Sequence, residues 1–261
     1  MALVTVAVGR DGLLFQRGSS EISAPLMPGD RKAFVQVWAS HVEALEYGDD
    51  VNRWFSDAIG VKCRLVRMPE VARRNVNPEY AVRPGEDVVS FADGYPYLLI
   101  GEASLDDLNE RIAEEHAPSR SRFRPEGDLA PRPAATSTIQ EESGEEHAPS
   151  RSRFRPDFAP LTMKRFRPNL VVEGSGPFDE DTWKRIRIGE TVFHVVKPCG
   201  RCVITTIDPE RGEFDGKEPL RTLAKFRKVG DLVMFGQNLI AERPGGTIRV
   251  GDEVEILETK D

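Results

Sequence analysis

Two cysteines three positions apart, Cys199 and Cys202, are the feature of this sequence that most restricts its local fold. A run of apolar and threonine residues at 203–206 follows the second cysteine and predicts a buried β-strand, which the Asp-Pro pair at 208–209 ends. The pair is therefore expected at the edge of a strand. Arg201 stands between the two cysteines, and a neighbouring cation favours the thiolate, which is the reactive form.

The cysteine pair admits three interpretations. A zinc site needs two further ligands, but outside a duplicated segment the chain offers only Cys63, His41 and His194, with no second closely spaced pair. A thioredoxin-like dithiol needs a helix after the pair, whereas a strand-forming run follows here. In the third interpretation one thiolate binds a soft transition metal or a metal cofactor. An anionic cofactor would find basic residues at Arg165, Arg167, Lys197 and Arg201.

The rest of the chain alternates strand-forming runs with a few short helices. Its 22 glycines and 19 prolines imply many turns. Apolar residues at helical spacing predict a helix over 50–59, which Gly60 ends. Another short helix is predicted over 220–226. Between them, Ser104 is predicted to cap a helix that carries an apolar stripe. We therefore expect an α+β fold that is mainly β.

Residues 113–160 have a different composition, rich in Pro, Ser, Glu and Arg. They contain the twelve-residue sequence EEHAPSRSRFRP twice, at 114–125 and at 145–156. Such a segment buries too little apolar surface to offset its ordering entropy, so we predict a disordered insertion. The alternative is a basic docking arm, because each copy carries three arginines and a phenylalanine. His116 and His147 lie within the copies and are not interpreted as a metal-binding pair.

Charge and composition indicate which classes of partner and which compartment to expect for this chain. With 43 acidic and 36 basic residues the net charge is −7, which disfavours nucleic acid as the main partner. Three cysteines do not suggest a disulfide framework, so we expect a reducing intracellular compartment, cytoplasmic or mitochondrial. No run approaches the roughly 20 apolar residues that a membrane-spanning helix needs. We therefore expect no membrane span in this chain.

Several sequence blocks, in this order, resemble one family. They are DGYPYLLIGEASLDDLN, RFRPNLVVEG, PCGRCVITTIDPERG, EPLRTL, FGQN and IRVGDEVEIL. The set resembles the MOSC (molybdenum cofactor sulfurase C-terminal) domain family, in the branch of the mitochondrial amidoxime-reducing component and its bacterial relatives. The resemblance covers 88–112 and 163–258, with weaker similarity over 34–69.

This resemblance implies a fold and a cofactor. It implies a MOSC β-barrel with flanking short helices over 70–261, interrupted by the insertion at 113–160, and a partial N-terminal MOSC-type β domain over 1–69. It also implies a molybdenum cofactor of the molybdopterin type and, at the level of the whole family, pyridoxal phosphate binding. Family members carry an N-terminal Lys-Ser-Cys-type block and a Gly-x-x-x-Asp-Arg turn, of which residues 29–31 are only an echo. The chain is thus expected to begin late relative to the family.

The resemblance also implies a set of site residues. Cys202 corresponds to the cysteine that ligates molybdenum and would be the catalytic and metal-binding residue, while Cys199 would be only a neighbour. The residues that correspond to cofactor contacts are Arg167 and Asn169, Gly94 and Tyr95, and Gly200 and Arg201.

The implied chemistry is a two-electron reduction of N-hydroxylated or N-oxygenated small molecules. No Fe–S cysteine spacing occurs in the chain, so electrons are expected from a separate donor of the cytochrome b5, flavin or Fe–S reductase type. Two alternatives stay open. One is a non-catalytic carrier of the cofactor or of sulfur, or an inactive truncated paralogue. The other is a thiol redox protein that uses Cys199 and Cys202 together.

Overall fold

The computed structural model describes residues 3–116 and 159–260. Within these residues the strands are β1 (Thr5–Val8), β2 (Gly12–Arg17), β3 (Ser20–Pro25), β4 (Lys32–Val37), β5 (Ser40–Glu46), β6 (Val66–Arg67), β7 (Tyr97–Gly101), β8 (Leu170–Val172), β9 (Trp183–Ile188), β10 (Thr191–Arg201), β11 (Ile207–Asp208), β12 (Glu213–Phe214), β13 (Lys228–Val229), β14 (Leu232–Ala241) and β15 (Val254–Thr259). The α-helices are α1 (Asp49–Ile59), α2 (Glu102–His116) and α3 (Leu220–Phe226). The prediction of an α+β fold that is mainly β is confirmed.

The largest sheet follows the order β15-β9-β10-β14-β7-β8, with β13 paired to β14 beside this path. Its neighbours are antiparallel except β7 and β8, which run parallel with Leu99 opposite Leu170. The sheet curls into a half-barrel. The alternating burial of β10 up to Val195 is the period-two pattern of a strand with one face in a core. This core contains Leu99, Val172, Trp183, Ile186, Ile188, Phe193, Val195 and Leu239.

A second core lies between this sheet and helices α2 and α3. Its members are Ile100, Leu105, Leu108, Ile112, Leu161, Phe166, Leu223 and Phe235. The rings of Phe166 and Phe235 lie 4.5 Å apart between centroids. Because Phe166 is 1% exposed, its packing anchors the chain segment just before β8.

The start of α2 differs from the sequence prediction. The helix begins at Glu102, so Ser104 is inside it and fully buried rather than at its N-cap. The Ser104 hydroxyl donates to the carboxylate of Glu180 at 2.8 Å and accepts the Phe178 N–H, while the Gly101 N–H also donates to Glu180. A buried carboxylate from a distant segment thus takes the place of a local cap, which sequence spacing cannot reveal.

The N-terminal residues form two small sheets, β1-β2-β3 and β4-β5-β6. Helix α1 packs with the first of them around Phe15, Ala24, Tyr47, Val51 and Phe55. This helix matches its prediction, and Gly60 ends it in the left-handed region at φ 79°. The partly buried thiol of Cys63 packs against this core, as expected of a structural cysteine.

Residues 113–116, the first four of the predicted insertion, belong to helix α2. Helix α2 continues to His116 because its last turn is held by tertiary contacts: Glu115 pairs with Lys225 at 2.6 Å and accepts a hydrogen bond from Thr222. Residues 117–158, which hold most of the predicted insertion and the second copy of the repeat, lie outside the described residues.

Candidate functional site

Cys202 lies just beyond the end of β10. Its side chain is exposed, its backbone is extended, and its carbonyl accepts the N–H and the hydroxyl of Thr205 at 3.2 and 2.9 Å. The prediction of a strand over 203–206 is wrong, because these residues form a 3-10 helix, Val203–Thr206. The hydroxyls of Thr205 and Thr206 bond back to carbonyls three residues earlier, which favours a turn over a strand. The turn leaves Cys202 exposed at the end of β10.

Cys199 and Cys202 have different surroundings. Cys199 is partly buried in β10, and its sulfur accepts a hydrogen bond from Arg201 Nη1 at 3.1 Å. Side chains alternate between the faces of a strand, so Cys199 and Arg201 share a face. With the intervening residues extended, positions 199 and 202 lie roughly 10 Å apart along the strand, beyond the reach of a disulfide. The arrangement therefore argues against a dithiol pair.

The RFRPN segment lies beside Arg201. The Arg201 guanidinium donates to the Phe166 carbonyl through Nη2 at 2.6 Å and sits over the Phe166 ring, with Cζ 5.6 Å from its centroid. Arg165 is buried and pairs with Asp215. Arg167 is exposed and adopts φ 54°, an uncommon conformation for a residue with a side chain. The turn thus holds Phe166 in the core and presents Arg167 at the surface.

Asn169 joins this turn to the sheet. Its backbone N–H donates to the Leu98 carbonyl and its side-chain Oδ1 accepts the Leu98 N–H, both at 2.9 Å. These two bonds begin the parallel pairing of β7 with β8, so Asn169 has a structural role here. Its predicted contact with a cofactor stays a prediction.

Gly94 and Tyr95 occupy a loop that a buried arginine organises. Arg74 donates to the carbonyls of Ser90, Ala92 and Asp93 at 2.8, 2.5 and 2.5 Å. Because the sequence around Arg74 is polar and turn-rich, it resembles a solvated loop, and only the fold reveals this burial. A side chain at Gly94 would meet no atom within 4 Å, so packing does not require a glycine there.

Tyr95 packs against the small core that contains Ile240, and Val196 packs against the same core. Val196 lies in β10, six residues before Cys202. The Tyr95 ring meets Tyr80 edge to face at 6.2 Å, and Lys197 lies 4.5 Å above the Tyr80 ring. Burial, followed by the neighbouring Tyr80 and Glu79, raises the pKa of Tyr95 to about 12. The described contacts link Tyr95 to this aromatic group, and none of them joins Gly94 or Tyr95 to Cys202. Their place in a cofactor site remains a prediction.

A cavity of about 500 Å³ separates the RFRPN turn from the N-terminal strands. Its N-terminal wall is apolar and consists of Val4, Val6, Phe15, Phe55 and Leu65. Its opposite wall is cationic at Lys164, Arg165 and Arg167, and apolar at Ile204, Ile207 and Pro209. Sequence reasoning did not identify the N-terminal wall, because alternating apolar residues in strands predict a core before they predict a binding surface.

The residues around Cys202 fit the cofactor that the family resemblance implies. Two guanidinium atoms, Arg165 Nη1 and Arg201 Nε, are buried and have no hydrogen-bond partner among the described residues. Gly200 has room for a side chain, since an added Cβ would only touch Leu232 at 3.5 Å. An exposed thiol is a soft metal ligand, and guanidinium groups suit an anionic pterin phosphate.

Neither a cluster of metal-ligating side chains nor a membrane-spanning helix occurs in the part of the chain that the structure describes. No group of three or more His, Cys, Asp and Glu side chains in them is placed to hold a metal ion. No helix within 3–116 or 159–260 has the length and apolar character needed to cross a membrane.

Comparison with known proteins finds one matching domain and several similar relatives. Residues 134–255 match the MOSC domain. The chain is 31% identical to mitochondrial amidoxime-reducing component 1 of Mus musculus, over 92% of this chain and 60% of that relative. It is 28% identical to mitochondrial amidoxime reducing component 2 of Rattus norvegicus, over 97% of this chain and 66% of the relative. It is 30% identical to molybdenum cofactor sulfurase of Oryza sativa, over 77% of this chain and 21% of the relative.

The chain thus spans less than two thirds of the mouse and rice relatives. The matched range ends within β15 and includes the RFRPN turn, Cys199 and Cys202. Strand β7 precedes this range but pairs with β8 and β14 inside it, so the sheet extends beyond the matched residues. On this evidence residues 134–255 contain a MOSC domain, and most of the chain is similar to relatives named as amidoxime-reducing components and a molybdenum cofactor sulfurase.

Proposed function

We propose that the chain is a molybdenum-cofactor-dependent oxidoreductase that reduces N-hydroxylated or N-oxygenated small molecules by two electrons. The observation that carries the proposal is the exposed Cys202 thiol at the end of β10, one residue from a guanidinium that binds the RFRPN turn. The names of the mouse and rat relatives, amidoxime-reducing components, support reduction at nitrogen.

In this proposal Cys202 supplies a thiolate ligand to molybdenum. The exposed Arg167 would bind the anionic phosphate of the pterin, and Gly200 would leave space beside the ligand. Asn169, Gly94 and Tyr95 complete the predicted set of contacts. The cofactor, when bound, supplies the two-electron redox chemistry, while the chain positions it and shapes access to it.

The cavity beside the turn supports a substrate of small size with an apolar body. Its N-terminal wall offers apolar side chains of β1, β2 and α1, and water is readily displaced from such a surface. The guanidinium groups on the opposite wall can bind polar oxygen atoms.

Electrons would come from a separate protein or flavin donor. The chain has three cysteines, too few for the four thiolates of an ordinary Fe–S cluster. A cytochrome b5-type protein or a flavin or Fe–S reductase would fill this role. Of the two compartments expected from the cysteines, the names of the mouse and rat relatives favour the mitochondrion.

The test is metal analysis followed by an activity assay. The full chain is purified from a host that makes the molybdenum cofactor, and molybdenum is measured by mass spectrometry. We expect molybdenum to co-purify with the chain, and an aromatic amidoxime to be reduced to the amidine with a supplied electron donor. A folded protein that contains no molybdenum overturns the proposal.

A specific observation favours a second candidate, a carrier that binds the cofactor without turnover. Arg165 and Arg201 are both engaged by protein groups, so Arg167 is the cation of the turn that forms no ion pair within the described residues. A small set of phosphate contacts suits transient binding. Molybdenum that co-purifies without amidoxime reduction, and that passes to an apo-acceptor enzyme, would support the carrier.

A further inference from the structure

We propose that Cys199 is a positioning residue, whose sulfur holds Arg201 against the Phe166 carbonyl and thereby fixes the RFRPN turn beside Cys202. The proposal rests on the proposed function for its catalytic consequence, but its structural part stands on contacts alone. The family resemblance made Cys199 only a neighbour of the ligand. The structure gives it a defined partner.

Two hydrogen bonds of Arg201 link Cys199 to Phe166. Cys199 Sγ accepts from Arg201 Nη1 at 3.1 Å, and Arg201 Nη2 donates to the Phe166 carbonyl at 2.6 Å. The two nitrogens of one planar guanidinium are therefore engaged at once, one by each segment. A planar fork held at both nitrogens has a fixed orientation, which a single bond would not enforce.

Burial makes this arrangement sensitive to the loss of one acceptor. Arg201 Nε is buried without a hydrogen-bond partner among the described residues, so the guanidinium already leaves one donor unsatisfied. Removal of the Cys199 sulfur would also leave Nη1 without its acceptor at a part-buried position, where an unpaired donor is unfavourable. We expect Arg201 to turn towards solvent in that case and to release the Phe166 carbonyl.

Loss of the hydrogen bond between Cys199 and Arg201 would affect both Arg167 and Cys202. Phe166 is the anchored residue of the RFRPN turn, and Arg167 follows it directly at φ 54°. Arg201 precedes Cys202 in the chain. One guanidinium thus couples the predicted phosphate-binding residue to the predicted metal ligand, and Cys199 sets its orientation.

The first measurement is amide hydrogen exchange of the metal-free protein, followed by mass spectrometry of the peptide that covers 163–169. We expect Cys199→Ala to accelerate exchange there by about fivefold, the factor that corresponds to one hydrogen bond of ordinary net strength. Cys199→Ser keeps an acceptor and should restore most of the protection. Cys63→Ser is the matched control, because that thiol lies in the N-terminal core.

The second measurement uses the molybdenum-loaded protein. Activity normalised to bound molybdenum should fall in Cys199→Ala through kcat, by about fivefold on the same reasoning, while KM stays within error and Cys199→Ser recovers activity. A general loss of stability would instead accelerate exchange in the peptides of β9 and β10 as well.

The outcomes separate this proposal from the proposed function. Unchanged exchange at 163–169 in Cys199→Ala overturns the positioning role, whatever the metal content. Accelerated exchange in a protein that never binds molybdenum retains the role of Cys199 in ordering the turn and rejects the oxidoreductase.

Discussion

The sheet that carries Cys202 and the N-terminal strands across the cavity differ in how completely they bury their apolar residues. In the sheet and its helices, Leu99, Ile186, Phe235 and Leu239 are fully buried. The core of the first N-terminal sheet has no fully buried member, and Phe34 and Trp38 on the next hairpin are 78% and 72% exposed.

The hydrogen bonds and ion pairs of the two regions differ in burial in the same way. The sheet region contains the buried Glu180, which accepts hydrogen bonds from the Ser104 hydroxyl and the Gly101 N–H, and Asp181, which Arg227 binds bidentately. The corresponding N-terminal ion pairs, Arg31 and Arg64 with Glu46, have half-exposed arginines. The predicted ligand therefore stands on the more deeply buried region, while the apolar wall of the cavity belongs to the more exposed one. Rigid support suits a metal ligand, and an adaptable wall suits varied substrates.

The largest expected effect separates the thiols of the two regions. Cys202→Ser should lower molybdenum retention and amidoxime reduction by more than about a hundredfold, since loss of even an indirect support of a metal ligand costs up to that factor. Cys63→Ser, in the N-terminal core, should retain both. The measurements are metal content and initial rate. Full activity in Cys202→Ser would remove this residue from the site.

Core truncation tests the difference in packing directly. Ile186→Ala should lower the free energy of unfolding by about 2–5 kcal/mol, because the removed side chain is fully buried and leaves a cavity. Ile59→Ala, at a half-buried position against the N-terminal core, should lower it by about 1 kcal/mol. Urea unfolding of both variants provides the comparison. Equal losses would contradict the proposed difference between the regions.

The buried Glu180 predicts a pH effect confined to the sheet region. Burial raises the pKa of Glu180, against the opposing hydrogen bonds from Ser104 and Gly101. The folded state therefore takes up this proton at higher pH than the unfolded state, so the contribution of Glu180 to stability increases as pH falls towards the ordinary glutamate value.

Glu180→Gln removes this titration, and it supplies the control. The stability of the wild type relative to Glu180→Gln should rise as pH is lowered through the raised pKa, and should level off below the unfolded value. Thermal unfolding of both proteins between neutral and acidic pH measures the difference. A constant difference across that range would show that Glu180 does not titrate as described.

The smallest effect concerns the apolar wall. Val6 is 58% exposed and lines the cavity, so Val6→Ser should raise KM for an apolar amidoxime by about fourfold, the equivalent of roughly one buried methylene. Val8→Ser is the matched control on the same strand, because Val8 does not line this cavity. Steady-state kinetics of the two variants measure the difference in KM. An unchanged KM in Val6→Ser would place substrate elsewhere.

Sequence reasoning worked where neighbouring residues decide the structure. Helix α1 follows from the spacing of Val51 and Phe55, and helix α3 occupies the predicted range 220–226. It failed at Val203–Thr206, where threonine hydroxyls bond back to the chain and replace a strand by a turn. It also failed at Ser104, where a carboxylate from residue 180 supplies the bonds at the helix start.

The amino-acid sequence alone predicts the mainly β fold, the resemblance to the MOSC domain and the candidate ligand Cys202, because short-range periodicity and ordered blocks can be read along one chain. Only the tertiary structure decided that Cys199 binds Arg201, that Arg201 reaches a carbonyl 35 residues away, and that Arg74 is buried under the loop of Gly94. It also decided that the N-terminal strands complete the cavity. The physical reason is that these contacts join segments far apart in the chain, whose approach depends on how the sheets pack and not on local pattern.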